Sequence, residues 1–442
     1  MDIKELQKII QENGVVGAGG AGFPTYVKVD ERANTILMNC AECEPLLKLH
    51  RQLLKVYAKE IMQTFHMIAE TVGAKEAIIG VKKSYKDTVN ALNQHLGEFP
   101  EMRLALLDEV YPMGDEIVLI YEATGRVVRP GGLPIEEGVA VFNVETVYNI
   151  YRAVNHNQPV TDKLVSVVAE VEHPVTVRVP IGTPLSEVVA MAGDTTTKDA
   201  VYFVGGPMMG NLGNGSQPVT KTTNAVLVLP RDHTIVQKKI RKSSIDMKRA
   251  ASICCQCRTC TDLCPRNNLG HPIDPALFMR ASANKDFQDM NPYLNAVFCS
   301  SCGVCEMFSC PQSLAPRSLL ADMKGGLRKA GIRPPQGVQS APVKDSRKYR
   351  KVPEERLMAR LGLTRYDKDA PLNDKVADVK KVTINLSQHI GAPAQAIVNI
   401  GDRVTVGQMI AKPAQGLSVG IHASITGVVL DVTDRAVVIE AK

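Results

Sequence analysis

The sequence predicts a multidomain α/β + β chain with a cysteine-rich helical module set between its β-rich parts. Three observations lead there. The 442 residues exceed what one ordinary hydrophobic core holds, so about three or four domains are expected. Strand-like and helix-like stretches alternate in the first third of the chain, and strand patterns dominate from Val160 to Pro230 and again from Val382. Nine of the eleven cysteines fall between Cys254 and Cys310.

Composition narrows the class. Hydrophobic residues make up 45% and charged residues 22%, ordinary for a globular protein, which excludes a mainly disordered chain. No run reaches the roughly 18 apolar residues of a membrane span. Met1-Asp2-Ile3-Lys4-Glu5 shows no basic patch followed by an apolar stretch, so no secretory signal is expected and the chain is read as cytoplasmic. A net charge of +6 suits anionic partners. With no Trp and 5% aromatics, base-stacking platforms and a nucleic-acid partner are not expected.

The first element is a helix over residues 3–13, where Ile3, Leu6, Ile9 and Ile10 recur at helical spacing. A glycine loop follows: Val15-Val16-Gly17-Ala18-Gly19-Gly20-Ala21-Gly22-Phe23-Pro24-Thr25. Gly17, Gly19 and Gly22 match G-x-G-x-x-G, and Glu42 lies where a ribose-binding acid belongs. That motif needs a strand before it and a helix after it. Here a helix precedes, and Pro24 stands where the second helix would form, so a standard dinucleotide fold is rejected at this point. The loop is read instead as backbone that an anionic ligand can approach, offering N–H donors; a flexible turn is the competing reading.

Thr35-Ile36-Leu37-Met38-Asn39 reads as a short buried strand running into Cys40-Ala41-Glu42-Cys43-Glu44-Pro45. Two acids and an amide at a strand's carboxyl end fit the ligand crevice of an α/β sheet. Acids favoured by a helix N-terminus are the alternative. A helix-like stretch over residues 50–71, a strand Glu76–Val81, a helix Ser84–Leu96 and a strand Arg103–Leu107 complete the alternation.

Leu164–Val171 and Val175–Val179 then read as strands, and Pro184–Ala192 as a short helix. Lys238, Lys239, Arg241, Lys242, Lys248 and Arg249 form a basic approach to the cysteines. It is read as a solvated face, or as charge that offsets a cluster or meets an acidic partner. Residues 331–375, with Arg333-Pro334-Pro335, read as a mobile linker around one short helix, Glu354–Leu361. In the tail, Leu386–Ala392, Val398–Gln408 and Gly420–Val429 read as short strands with Gly turns.

The cysteines carry the sharpest chemistry. Cys254, Cys257, Cys260 and Cys264, followed by Pro265, give C-x2-C-x2-C-x3-C-P, the bacterial ferredoxin spacing. Cys299, Cys302, Cys305 and Cys310, followed by Pro311, repeat it with the last gap one residue longer. Three closely spaced thiolates wrap three corners of one iron–sulfur cube, and the fourth serves the other cube. Cys254, Cys257, Cys260 and Cys310 are therefore assigned to one [4Fe–4S] cluster, and Cys299, Cys302, Cys305 and Cys264 to the other. Two structural zinc sites are the alternative, but zinc ribbons pair C-x2-C knuckles and a third Cys would be surplus. Cys255 is read as a small buried packing residue.

Gly17–Thr25, Lys28 and Asn39–Pro45 together resemble the flavin-binding region of the NADH-oxidising subunit of respiratory complex I. The resemblance is closer to the RnfC component of the Rnf electron-transport complex and to the microcompartment cobalamin reductases of propanediol utilisation. Tyr111-Pro112-Met113-Gly114-Asp115-Glu116, Arg129–Pro134, Phe142–Thr146 and Val204–Gly210 continue the match in order, ahead of the cysteines. Ala18 and Ala41 replace an Arg and an Asp of the complex I pattern and follow the Rnf-like branch; Phe142 replaces an Asn.

The resemblance implies an FMN/NADH-binding α/β domain over residues 1–157 and an SLBB-like β-grasp domain over 158–232. It further implies a double [4Fe–4S] ferredoxin-like domain over 240–330, the linker 331–375, and a barrel-sandwich module over 376–442. The module resembles lipoyl carriers, but its turn His422–Gly427 has no Lys, so no lipoylation or biotinylation is expected, and His389 and His422 are read as structural. FMN would be held by Gly17, Gly19, Gly20, Gly22, Lys28, Asn39, Glu42, Glu44 and Asn143. Phe23 would stack on NADH, and Gly114 and Glu116 would help hold it. No catalytic residue beyond this relay is expected. The order of modules, with the barrel last, matches the microcompartment reductases.

The implied activity is electron transfer from NADH through FMN and two [4Fe–4S] clusters to a corrinoid or an adenosyltransferase, beside microcompartment proteins. Three other readings remain: an Rnf-type input subunit of a membrane complex, NADH recycling in another microcompartment, and a ferredoxin scaffold without a working flavin site.

Overall fold

The computed structural model describes residues 1–333 and 337–441; Pro334 and Pro335 of the linker reading and Lys442 of the barrel module lie outside the described residues. The first domain is built on a sheet of parallel strands β1 (Thr35–Cys40), β2 (Glu76–Lys82), β3 (Met102–Leu107) and β5 (Val139–Asn143), in the order β3-β2-β1-β5. A two-residue strand β4 (Val110–Tyr111) stands outside it. Alternate side chains enter opposite cores, as the strand period of two requires. Ile36 and Met38 pack with helices α1 (Ile3–Glu12), α3 (Ala58–Val72) and α6 (Val144–His156). Leu37 and Ile78 pack with α5 (Glu116–Thr124).

The helix-like stretch 50–71 is two helices. Helix α2 (Leu49–Val56) ends and α3 begins at Tyr57, which has φ −115° and ψ 37°. Tyr57 is drawn to tertiary partners: its hydroxyl donates to Asp374, and its ring lies 4.6 Å from that of Tyr148. The next helix, α4, is shorter than expected, Lys86–Asn93, with a separate 3-10 turn at Leu96–Glu98.

A mixed six-stranded sheet forms the second domain, ordered Leu372–Val376, Val175–Pro180, Asp162–Ala169, Ala225–Pro230, Ala200–Val204, Asn211–Gly213. Its outermost strand at one edge comes from the segment read as a linker. That reading is revised in a second place, since Val352–Pro353 pairs with β4. Leu357, Leu361, Leu363 and Tyr366 are buried against the second domain and the cysteine module. The helix Glu354–Leu361 stands where the spacing placed it, but it is amphipathic and its apolar side needs cover, so it docks where a mobile linker was expected.

Helices Ser243–Ile253, Pro275–Asn284 and Pro316–Lys329 enclose the cysteine module around Phe278, Tyr293, Phe298 and Leu320. The last module has two small sheets, one of four strands and one of three. Leu386–Ala392 is not a strand there; the strand is Lys381–Asn385 and the rest forms a turn. Nor is the turn His422–Gly427 an exposed tip: Ala423 is buried and Ser424 Oγ donates to Ile181 O at 2.6 Å. Lys221 bolts three modules together, donating to Gly14 O (2.6 Å) and Gly420 O (3.0 Å) while its own N–H donates to Gln388 Oε1. Burial pulls its ammonium down to about 7.

Candidate functional site

The first sheet places a crevice. From β1 the chain steps to β2 and β3, then returns to β5 on the other side of β1, so the carboxyl ends of β1 and β5 flank a topological switch point, where open α/β sheets take ligands. Asn39 and Asn143 are register partners across that seam. Asn143 caps α6 by accepting from Glu145 N–H, and Asn39 Nδ2 donates to Gly114 O at 3.0 Å.

The glycine loop lies on this seam. A Cβ on Gly19 would come within 2.4 Å of Asn143 Nδ2, so the missing side chain admits the amide. Gly20 faces open space. Gly22 serves another purpose: at φ +71° its Cβ would meet Gln388 O at 2.9 Å, so it is the barrel module that comes close here. Gly17 N–H donates to Phe23 O, closing the loop. Lys28 Nζ donates to Val141 O (2.8 Å) and Glu116 Oε1 (3.0 Å), and lies 6.0 Å from the centre of the Phe23 ring.

Sequence reasoning missed His50. It is buried in the first turn of α2, with Nδ1 3.6 Å from Glu42 Oε1 and 3.4 Å from Asn143 Nδ2, and with Nε2 3.8 Å from Glu145 Oε2. A histidine opening the helix after the acidic segment was the available signal. Burial would raise Glu145, but Lys163 and His50 outweigh it and hold its carboxyl at about 2. Glu42 Oε1 and His50 Nε2 are buried without a hydrogen-bond partner. Buried polar atoms call for partners, so this crevice suits a ligand rich in hydroxyl, amide and phosphate groups, and FMN passes that test.

Glu44 points elsewhere. Its oxygens accept from Met208 N–H (2.8 Å) and Met209 N–H (3.0 Å), which pins the Val204–Gly210 loop. Burial pushes its carboxyl up to about 7 despite those two donors.

The cysteines surround two cavities. Cys264, Cys299, Cys302 and Cys305 line one, with about 330 Å³ of atom-free space; Cys254, Cys257, Cys260 and Cys310 line the other, with about 400 Å³. We call these the inner and outer quartets. Both loops take left-handed backbone on either side of the second Cys: Gln256 and Arg258 in one, Ser301 and Gly303 in the other. Such turns point successive N–H groups inward and make an anion-binding concavity. Ser301 N–H donates to Cys299 Sγ, and Leu314 N–H to Cys310 Sγ, each at 3.3 Å. The extra residue of the second motif is taken up by a π-helical turn, Val304–Ser309, where the first has the α-turn Thr259–Asp262. Among the described residues no three His, Cys, Asp or Glu converge closely enough to hold a single metal ion. Thiols spaced around a cavity fit a polynuclear cube better than one zinc.

Cys255 is exposed, not buried as expected, and it lies at the rim of the outer cavity beside Cys254 and Cys257. The basic approach is not merely solvated either. Lys238 donates to Glu306 O, Lys239 to Gly210 O, and Arg249 to Ser313 O.

One segment joins the crevice to the inner quartet. Glu116 pairs with Lys28, Asp115 accepts two bonds from Arg266 Nη2 (2.9 and 2.8 Å), Gly114 N–H donates to Cys43 Sγ, and Tyr111 Oη donates to Cys302 O at 2.5 Å. Arg266 itself lines the inner cavity.

Four family models match the chain: the Nuo51 FMN-binding domain over residues 10–152, the SLBB domain over 164–212, the 4Fe-4S dicluster domain over 253–315 and the RnfC barrel sandwich hybrid domain over 366–442. Cobalamin reductase PduS of Salmonella typhimurium is 42% identical over 98% of this chain and 96% of its own length. Its namesake in Citrobacter freundii is 40% identical over 99% and 97%. One component of the Na(+)-translocating ferredoxin:NAD(+) oxidoreductase complex of Acetobacterium woodii is 30% identical over 60% of this chain and 58% of its own. An NAD+-reducing [NiFe]-hydrogenase in its air-oxidised state shares the fold, with a TM-score of 0.50 and 21% identity over 82% of this chain and 66% of that one. No helix among the described residues is long and apolar enough to cross a membrane.

Proposed function

Because this chain belongs to the family of the cobalamin reductase PduS, we propose that it is an NADH-dependent flavoprotein oxidoreductase that reduces a corrinoid, working in a propanediol-utilisation microcompartment. FMN, when bound, takes two electrons as hydride and releases them singly, and two [4Fe–4S] clusters carry them onward.

The residues divide that labour. Gly19, Asn39, Glu42, His50 and Asn143 hold the flavin at the switch crevice, with Lys28 anchored on Glu116 beside it. Phe23 and the open backbone at Gly20 receive the nicotinamide nucleotide. Cys264, Cys299, Cys302 and Cys305 hold the first cluster, and Cys254, Cys257, Cys260 and Cys310 the second. Glu44 acts on the first cluster's cover rather than on the flavin.

The observation that carries the reading is the Tyr111–Glu116 segment. At one end Glu116 pairs with Lys28 beside the crevice and Asp115 with Arg266 of the inner cavity, and at the other end Tyr111 bonds the Cys302 backbone. A segment bonded at both of its ends in this way would hold a donor and an acceptor at a fixed separation. The test is anaerobic purification with iron, sulfide and flavin counts, then reduction of hydroxocobalamin by NADH. About eight irons and one flavin per chain are expected; colourless protein carrying zinc refutes the scheme.

A further inference from the structure

The two quartets differ in access, and the charge around them differs too. The inner quartet is closed in by the Tyr111–Glu116 segment and the Met208 loop, and its Cys302 and Cys305 are buried. In the outer quartet Cys257 is exposed, and the neighbouring Cys255, Gln256 and Arg258 face solvent with it. No residue of the α/β domain lines that cavity.

Helix Ser243–Ile253 runs straight into Cys254. Over residues 238–258 seven basic residues stand against one acid, Asp246, a surplus equal to the formal +6 of the whole chain. Part of that charge is already engaged: Lys238 on Glu306 O, Lys239 on Gly210 O, Arg241 on Asp246, Arg249 on Ser313 O and Arg258 on Asp274. Lys242 and Lys248 remain exposed, and with them Ile245 (47%) and Ile253 (42%). Apolar side chains set among unpaired cations beside an exposed redox centre are the make-up of a transient docking face, in which charge sets orientation and encounter rate.

We propose that this face, from Lys242 to Arg258, is where electrons leave the protein, and that it docks a partner protein whose own redox group is ringed by acidic residues. It rests on the proposed function for the direction of flow. Each transfer moves one electron: the outer cluster is oxidised by one, the partner's centre is reduced by one, and NADH is the ultimate donor.

The test uses anaerobically purified holoenzyme and two probes of opposite charge, an acidic plant-type [2Fe–2S] ferredoxin and basic cytochrome c, with binding read by biolayer interferometry. The ferredoxin should bind at 50 mM NaCl and weaken about tenfold at 300 mM, as screening shortens the reach of the charges. Lys242→Glu with Lys248→Glu should cost about tenfold at 50 mM, while Lys4→Glu with Lys8→Glu, exposed on α1, should cost nothing. Equal losses from both pairs, salt-independent binding, or preference for cytochrome c would overturn the proposal. A holoenzyme that reduces free hydroxocobalamin yet binds neither protein overturns it as well, in favour of a small corrinoid acceptor. Iron and flavin counts on the same samples report separately on the proposed function, so the two can fail apart.

Discussion

Around Cys302 and around Cys257 the backbone follows the same path: left-handed residues flank the second Cys in both loops, and a short helical turn delivers the third. What surrounds the two paths is different. Cys302 is buried under Tyr111, Gly303 abuts the carbonyl of Met208, and Arg266 is locked onto Asp115. Cys257 lies open beside a basic helix. Two nearly identical cysteine loops thus acquire an inside and an outside position, and that difference comes from their neighbours rather than from the cysteines themselves.

Breaking either quartet should have the largest effect. Cys302→Ser is expected to lower iron from about eight to about four per chain and to stop NADH from reducing the remaining cluster. Cys257→Ser should lose the same iron but leave the inner cluster reducible. Electron paramagnetic resonance of NADH-treated samples separates the two results, and matching spectra from both variants would erase the distinction drawn here.

Next in size is Asp115→Asn. It leaves Arg266, whose side chain is 14% exposed, without its carboxylate, and a broken buried pair costs about 3 kcal/mol or more. A lower thermal midpoint and slower reduction of the inner cluster in freeze-quench spectra are expected; an unchanged midpoint would mean that this pair is solvated.

Glu44 offers a pH handle on the same contrast. Its folded value, about 7, lies above the ordinary 4.5. The stability it contributes is therefore complete below about 4.5 and is lost as pH rises through about 7. Since Glu44 pins the loop over the inner quartet, iron loss to a chelator should accelerate a few-fold at that quartet as pH rises from about 5 to about 7 and level off above, while the outer quartet shows no such step. Glu44→Gln should flatten the profile.

The smallest effect is expected from Cys255→Ser. The thiol is exposed and is a fifth cysteine at the rim of the outer cavity, beyond the four assigned there, so iron content and spectra should match the parent, as exposed substitutions usually leave the fold intact. A lost cluster would make Cys255 a ligand and undo the assignment of Cys254 or Cys257.

Sequence alone determined whatever depends on local spacing. The cysteine periodicity sorted the thiols into the quartets that the two cavities gather, since a C-x2-C-x2-C loop has few ways to wrap an anion. Pro24 and the preceding helix ruled out the dinucleotide turn, and the helix Glu354–Leu361 lay open in its spacing. Tertiary structure decided what involves partners far along the chain. Gly22 yields to a barrel module more than 350 residues on, Glu44 turns from the crevice to Met208, His50 joins Glu42 to Glu145, and the supposed linker becomes an edge strand and a buried helix face. The reason is physical. Periodicity and backbone preference act over a few residues and specify one element at a time. Which surface covers another depends on burying apolar area and pairing buried polar groups across the whole chain, and no short stretch of sequence carries that information.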